Sequence, residues 1–195
     1  MPIAPIKAPI AAVILAAGMS TRMPGNKLLA AVAGKPIIRH AVEAALGSQA
    51  NRVIVITGNA SAEVRQAVTD LAVEFVENKM FSRGLSESLK CGVRAVPSTC
   101  AGVLILLGDM PYIRAAHIDA LIAAFRPGRV AVPTCNGRRG NPVLWSRAFF
   151  PAILGLSGEE GAKRIILQHP EAVDEVPLPD EAPLIDIDRP EDLPV

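Results

Sequence analysis

Two cations lie in a glycine-containing loop near the start of the chain. The segment VILAAGMSTRMPGNKLL spans residues 13–29, and its apolar run stops at Gly18, before Arg22 and Lys27. Gly18 lets the backbone approach a ligand, and the N–H groups of such a loop can form an anion-binding concavity. Arg22 offers a planar fork to phosphate oxygens, and Lys27 offers a mobile point charge. The segment predicts either a triphosphate-binding loop or a solvated loop. It matches neither a Walker A loop nor GxGxxG.

Three aspartates are candidates for holding a divalent cation. Asp109 follows a run of apolar residues in GVLILLGDMP (102–111), and Asp186 and Asp188 are two residues apart in LIDIDRPEDL (184–193). On a strand, residues two apart share one face. Magnesium in nucleotide sites takes one or two carboxylates together with substrate phosphates. The pattern therefore predicts a Mg²⁺ site, although turn capping by Asp109 and a polar face of an edge strand are the alternatives.

Two further loops carry polar groups that suit a nucleotide and its acceptor. GLSESLKCG (84–92) places Ser86 and Ser88 at a predicted helix start, where they either bind a base or phosphate or simply cap the helix. NGRRGNPVLW (136–145) either folds over a phosphorylated acceptor or forms a basic hairpin tip. The three histidines fall on predicted helices, and Glu159 is interpreted as an ordinary solvated charge.

These loops connect strands and helices that alternate along the chain. Apolar, β-branched runs predict strands over 11–17, 52–57, 73–78, 102–111, 129–135 and 141–145. Helical spacing predicts helices over 36–48, 61–71, 84–96, 115–125 and 159–169, with Ser61 as an N-cap and Gly47 as a C-cap. Extended pieces follow near the C-terminus. The alternation predicts an α/β, doubly wound sheet, whose ligands bind at the carboxyl ends of its strands.

Composition limits the classes of protein that fit this chain. The chain has 195 residues, half of them apolar, and a formal net charge of +1. We therefore expect one domain over residues 11–195 behind a loose, Pro-rich tail (1–10), with no global field that recruits nucleic acid or a membrane. The three cysteines have no CxxC spacing, which favours a reducing cytoplasm over a disulfide framework or a zinc site. No apolar run is long enough to span a bilayer.

Six segments taken in order resemble the molybdenum cofactor cytidylyltransferase family of the MobA-like nucleotidyltransferases. The segments are LAAGMSTRMPGNKLL, GLSESLKCG, LLGDMP, RRGNPVLW, EEGAKRII and DIDRPEDL. The resemblance runs from about residue 11 to 194 and implies a single-domain Rossmann-like (GT-A type) fold with a mostly parallel twisted sheet. The sequence departs from the family at Pro24, where glycine usually follows the RM pair.

The resemblance also implies an activity and a set of site residues. The activity is transfer of CMP from CTP to the phosphate of the molybdenum cofactor, a molybdopterin, with release of pyrophosphate and dependence on Mg²⁺. The family's functional positions correspond to Ala16, Ala17, Gly18, Gly84 and Ser88 for the nucleotide, to Arg22 and Lys27 for the phosphates, and to Asp109 and Asp188 for the metal.

The sequence also fits three other functions. The chain could be a guanylyltransferase for the same cofactor, a cytidylyltransferase for another phosphorylated acceptor, or a non-catalytic carrier of the cofactor. The sequence lacks the GxGxxG fingerprint, which argues against a plain dinucleotide-binding domain. A recipient molybdoenzyme or its chaperone is the expected protein partner of a cofactor cytidylyltransferase.

Overall fold

The computed structural model describes residues 8–19, 23 and 25–193. The strands are β1 (Ile10–Ala16), β2 (Ala31–Val32), β3 (Lys35–Pro36), β4 (Arg52–Thr57), β5 (Glu74–Glu77), β6 (Gly102–Leu107), β7 (Val130–Cys135), β8 (Arg138–Arg139), β9 (Val143–Ser146) and β10 (Val173–Pro177). The α-helices are α1 (Ile37–Leu46), α2 (Ser61–Ala67), α3 (Leu85–Ala95), α4 (Ala115–Ala123), α5 (Phe150–Leu154) and α6 (Lys163–Gln168). The elements alternate in the order expected of an α/β protein.

The strands form one mixed sheet that is mostly parallel around its centre. The strand order is β10-β7-β9-β6-β1-β4-β5, with β8 pairing on β7, while β2 and β3 form a separate two-stranded ribbon. The pairs β1–β4, β1–β6, β4–β5 and β10–β7 are parallel, and β9 runs antiparallel to both β6 and β7. The predicted α/β fold class with a mostly parallel sheet is confirmed.

The central strand β1 is buried on both faces, which explains its unbroken apolar sequence. Ile10, Ala12 and Ile14 belong to the core cluster that contains α1 and α4 residues. Val13 and Leu15 belong to the opposite cluster, which contains residues of α3, α5 and α6. Successive side chains of a strand point to opposite faces, so β1 anchors both helix layers of the sheet.

Several predicted element boundaries differ from the structure. The helix predicted over 159–169 begins only at Lys163, because residues 159–162 are not helical and follow a turn at Gly158, where φ is +59. Ser61 is not an N-cap: Ala60 holds that position at φ 52, and the Ser61 hydroxyl donates to Thr57 Oγ1 at 2.8 Å. Gly47 is the C-cap of α1, as predicted.

The ends of the chain surround this core. Residues 1–7 of the predicted tail lie outside the described residues, and Ile10 is already fully buried in β1. At the other end, residues 185–189 are extended between two short 3-10 helices and are not part of a strand. No helix in the described parts of the chain is long and apolar enough to cross a membrane.

Candidate active site

A cleft of about 390 Å³ opens where β1 and β6 end. Its position at the carboxyl ends of central parallel strands is the position expected of a ligand site in an open α/β sheet. The described residues that line it are Leu15, Ala17, Gly18, Met19, Lys27, Leu28, Phe81, Gly84, Leu85, Ser88, Leu107, Asp109, Glu159 and Asp188. Segments far apart in sequence therefore meet around one cavity.

Most of the residues predicted to bind the nucleotide line this cleft. Ala17, Gly18, Gly84 and Ser88 do so. Ala16 does not, because it is the last residue of β1 and its side chain is buried in the core. Arg22 lies outside the described residues, as does Pro24.

Lys27 bridges two of the predicted metal ligands. It begins a short 3-10 helix (Lys27–Leu29), and its Nζ lies 2.6 Å from Asp109 Oδ2 and 2.6 Å from Asp188 Oδ1. Burial alone would lower the pKa of Lys27, but attraction and hydrogen bonding to Asp109, followed by those to Asp188, raise the pKa overall. The lysine is therefore a permanent cation at the wall of the cleft.

Three carboxylates converge beside Lys27. Asp109, Asp186 and Asp188 each offer an oxygen, and these oxygens lie within 4.8 Å of one another. Burial raises the pKa of the Asp186 carboxyl, and the charges of Asp109 and Asp188 raise it further. Asp109 Oδ1 is buried with no hydrogen-bond partner among the described residues. An orphaned carboxylate oxygen within such a group fits a hard divalent cation, which prefers oxygen ligands.

Backbone contacts bring these aspartates together. Gly108 N donates to Leu15 O at 3.0 Å, and a Cβ at Gly108 would lie only 2.9 Å from that same oxygen. A glycine therefore lets the segment carrying Asp109 pass close to the end of β1. Ile187 N donates to Asp109 O at 3.0 Å, which ties the C-terminal segment to the end of β6. Because Ile187 is buried, Asp186 and Asp188 on either side of it face the site.

Sequence reasoning missed the contribution of the segment before α6. Glu159 lines the cleft, and its Oε2 accepts a hydrogen bond from Leu85 N at 3.4 Å. The adjoining Gly158 O accepts from Ser86 N at 3.2 Å and lies so close to Gly84 that a Cβ there would be 2.3 Å away. Glycine at 84, where φ is +110, makes this approach possible. Nothing in the local sequence distinguishes Glu159 from a solvated glutamate.

A second cavity of about 330 Å³ adjoins the first and shares Leu15, Leu85 and Leu107 with it. Its remaining apolar wall consists largely of Leu89, Ile105, Val132, Val143, Trp145, Ile166 and Leu167. Its polar side chains are those of Arg139, Asn141 and Lys163. The RRGNP segment and the start of α6 thus meet at one apolar chamber with cationic groups in its wall.

Comparisons with known proteins agree with this architecture. Residues 12–173 match the model of the MobA-like NTP transferase domain. The purine catabolism protein PucB of Bacillus subtilis (strain 168) is 34% identical over 190 residues, which cover 92% of this chain and 92% of PucB. The bifunctional protein GlmU of Paracidovorax citrulli is 32% identical over 83% of this chain, but only 33% of GlmU is covered.

Solved structures share the fold over nearly the whole chain. The homolog of Mycobacterium tuberculosis Rv0371c from Mycobacterium sp. strain JC1 superposes with a TM-score of 0.84 at 29% identity, covering 94% of this chain and 92% of that one. The manganese complex of Rv0371c from Mycobacterium tuberculosis H37Rv superposes with a TM-score of 0.81 at 24% identity, covering 95% of this chain and 96% of that one. A CMP-2-keto-3-deoxy-manno-octonic acid synthetase complexed with CTP superposes with a TM-score of 0.72 at 19% identity, covering 94% of this chain and 95% of that one. The last two similarities show the fold alone.

Proposed function

Because this chain belongs to the MobA-like NTP transferase family, we propose that it transfers CMP from CTP to the phosphate of the molybdenum cofactor. The family assignment rests on the match over residues 12–173 and on the 34% identity to PucB. The chain is thus a nucleotidyltransferase of the MobA-like class. CTP as the donor, the molybdenum cofactor as the acceptor and Mg²⁺ as the metal are the proposed refinements of that class.

One observation carries the proposal: Lys27, Asp109 and Asp188 converge at the wall of a cleft at the carboxyl edge of the sheet. A carrier that only binds a cofactor has no need of a cation and a carboxylate cluster arranged in this way. Asp109 and Asp188, with Asp186 beside them, would hold Mg²⁺, which supplies positive charge next to the phosphates when it is bound.

The reaction requires no nucleophile or strong base from the protein. An oxygen of the acceptor phosphate attacks the α-phosphorus of CTP, a new P–O bond forms, and the bond to pyrophosphate breaks. The attacking phosphate is already an anion, so no proton has to be removed from it. Lys27 stabilises the charge that develops on the leaving pyrophosphate, and Arg22 is predicted to do the same. No histidine is among the described residues that line the cleft.

The adjoining chamber is the proposed place for the acceptor. Its apolar wall, which includes the buried Trp145, suits a flat ring system. Lys163 suits a phosphate, and so does Arg139, whose guanidinium also pairs with Glu175 Oε1 at 2.8 Å. Because the two cavities share a wall, an acceptor phosphate entering from the chamber approaches a nucleotide held in the cleft.

The decisive experiment measures pyrophosphate release with each of the four NTPs, with and without the molybdenum cofactor and with and without Mg²⁺. We expect release with CTP that requires both the cofactor and the metal. A clear preference for GTP would overturn the choice of base. Cofactor binding without any pyrophosphate release would favour the carrier.

Two variants test the proposed residues. Lys27→Met and Asp109→Asn should each lower turnover by about 10²- to 10³-fold, the effect typical of losing one electrostatic partner of a transition state. Lys35→Met is the matched control, because Lys35 pairs with Glu43 on the exposed surface. Full turnover by either cleft variant, with normal circular dichroism at 25 °C, would refute the assignment.

A further inference from the structure

Asn78 is a buried polar residue that does not itself line the cleft. It follows β5, and its backbone N–H donates to Thr57 O at 2.7 Å. Its side chain makes two hydrogen bonds: Oδ1 accepts from Met80 N at 2.9 Å, and Nδ2 donates to Ser88 Oγ at 3.1 Å. The second bond connects Asn78 to a hydroxyl in the wall of the cleft.

The directions of these two bonds are fixed by the chemistry of the groups. A backbone N–H can only donate, so the atom of Asn78 that faces Met80 N must be the oxygen. The amide nitrogen therefore faces Ser88, and the Ser88 oxygen must accept. In the part of the chain that the structure describes, no group takes the hydroxyl proton of Ser88 in return. Ser88 is left as a hydrogen-bond donor whose side chain borders the cleft.

The surroundings of Ser88 suit a nucleobase better than a phosphate. The same wall of the cleft contains Phe81, Gly84 and Leu85, which carry no side-chain charge. Phosphate oxygens are usually met by cations, whereas a base rests on apolar surface and is oriented by a few polar groups.

We propose that Asn78 is a positioning residue that fixes Ser88 as a donor to a carbonyl oxygen of the nucleobase. This inference rests on the proposed function, because it requires a nucleotide in the cleft. Cytosine O2 is a carbonyl of the required kind. Asn78 acts through Ser88 and does not contact the nucleotide.

Replacing the amide nitrogen of Asn78 by oxygen reverses the direction of its hydrogen bond with Ser88. In Asn78→Asp, one carboxylate oxygen still accepts from Met80 N, but the other accepts the Ser88 proton, so that Ser88 presents only lone pairs to the base. We expect CTP to bind about tenfold more weakly, because an acceptor then faces an acceptor in a desolvated position. Inorganic tripolyphosphate, which has no base, should bind with less than about a twofold change.

Calorimetric titration with CTP and with tripolyphosphate, both with Mg²⁺, separates this effect from simple charge repulsion. Equal weakening of both ligands, or no weakening of CTP, would overturn the role of Asn78. Asn51→Asp is the matched control: Asn51 Oδ1 accepts from Ile10 N at 2.9 Å at the start of β1, away from the cleft. It should leave both affinities unchanged.

A second variant, Ser88→Ala, completes a double-mutant cycle with Asn78→Asp. Ser88→Ala should weaken CTP binding to a similar extent, and adding Asn78→Asp to it should have little further effect, because the two residues act as one unit. Additive losses would overturn the coupling. Affinity for CTP that depends on Asn78, in a protein that releases no pyrophosphate, would support this inference while contradicting the proposed catalysis. Absence of CTP binding by the wild-type protein would overturn both.

Discussion

Lys27→Met tests whether the lysine holds Asp109 and Asp188 together when no ligand is present. Each Nζ–O distance of 2.6 Å corresponds to a gross attraction of about 6 kcal/mol at an effective dielectric constant of about 20. Desolvation of the charges offsets most of this attraction. The side chains of Lys27 and Asp109 are each 15% exposed and that of Asp188 is 38% exposed, so the site is neither a surface pair nor a fully buried one.

The expected loss in the free energy of unfolding lies between the values for an exposed ion pair and for a fully buried one. Exposed pairs contribute up to about 1 kcal/mol, and breaking a buried pair costs about 3 to 5 kcal/mol, so we expect a loss of about 2 to 3 kcal/mol. For a chain of this length each 1 kcal/mol corresponds to roughly 2 to 4 °C, and the melting temperature should fall by roughly 4 to 12 °C. Methionine keeps the apolar stem of the side chain, so the loss reports mainly on the charge.

Mg²⁺ should then restore part of the stability. Without the ammonium group, the cluster of Asp109, Asp186 and Asp188 loses a cation that competes with a metal ion. If the variant binds Mg²⁺ with a Kd of about 1 mM, about 10 mM MgCl₂ adds about 1.4 kcal/mol of stability, or roughly 3 to 6 °C. The wild-type protein should gain less, because Mg²⁺ must first displace Lys27.

The assay is thermal unfolding of EDTA-treated protein, with and without MgCl₂. Lys35→Met is again the control, since the Lys35–Glu43 pair is largely exposed and its loss should cost under about 1 kcal/mol without altering the response to the metal. The reasoning is refuted if Lys27→Met melts at the wild-type temperature, or if Mg²⁺ stabilises both proteins equally.

Two further predictions concern the pH dependence of stability and a close backbone contact. The two-pronged hydrogen bond from Arg39 lowers the pKa of Asp70 to about 2, so its stabilising effect is complete above the ordinary carboxyl pKa and is lost as the pH falls toward 2. In urea unfolding, Asp70→Asn should therefore lower the free energy of unfolding by a constant amount above about pH 5 and by progressively less between about pH 4 and 2. A difference between wild type and variant that does not shrink at low pH would contradict this. Gly84→Ala should cost about 3 kcal/mol or more, because φ is +110 and the new Cβ would lie 2.3 Å from Gly158 O. Gly34→Ala, with φ +76 but open space around the Cβ, should cost only about 1 to 2 kcal/mol, and equal melting temperatures for the two variants would show that the contact is not tight.

The central fold was predictable because its signals are local. The continuous apolar sequence of β1 predicts a strand buried on both faces, and the structure places core residues on both sides of it. The position of Asp109 directly after a buried strand predicts its place at the carboxyl edge of the sheet. The alternation in DIDR likewise predicts that Asp186 and Asp188 share a face, although the segment is not a strand.

Contacts between distant segments were beyond the reach of sequence patterns. Lys27 and Asp188 are separated by 161 positions, so their ion pair depends on the tertiary fold and has no local signal in the sequence. The same holds for Glu159, whose contact with Leu85 N spans 74 positions. The resemblance to a family suggested roles for Lys27 and Asp188, but neither pattern nor resemblance indicated that the lysine bridges Asp109 and Asp188.

The charge of the cleft differs from the charge of the whole chain. The chain has a formal net charge of +1, whereas the described residues that line the cleft carry one positive charge, on Lys27, and three negative charges, on Asp109, Asp188 and Glu159. A triphosphate adds further negative charge, so Lys27 alone cannot neutralise the complex. The carboxylates that oppose the nucleotide electrostatically are also the groups that suit a divalent cation. The composition of the described part of the cleft therefore favours a nucleotide accompanied by its metal over a nucleotide alone.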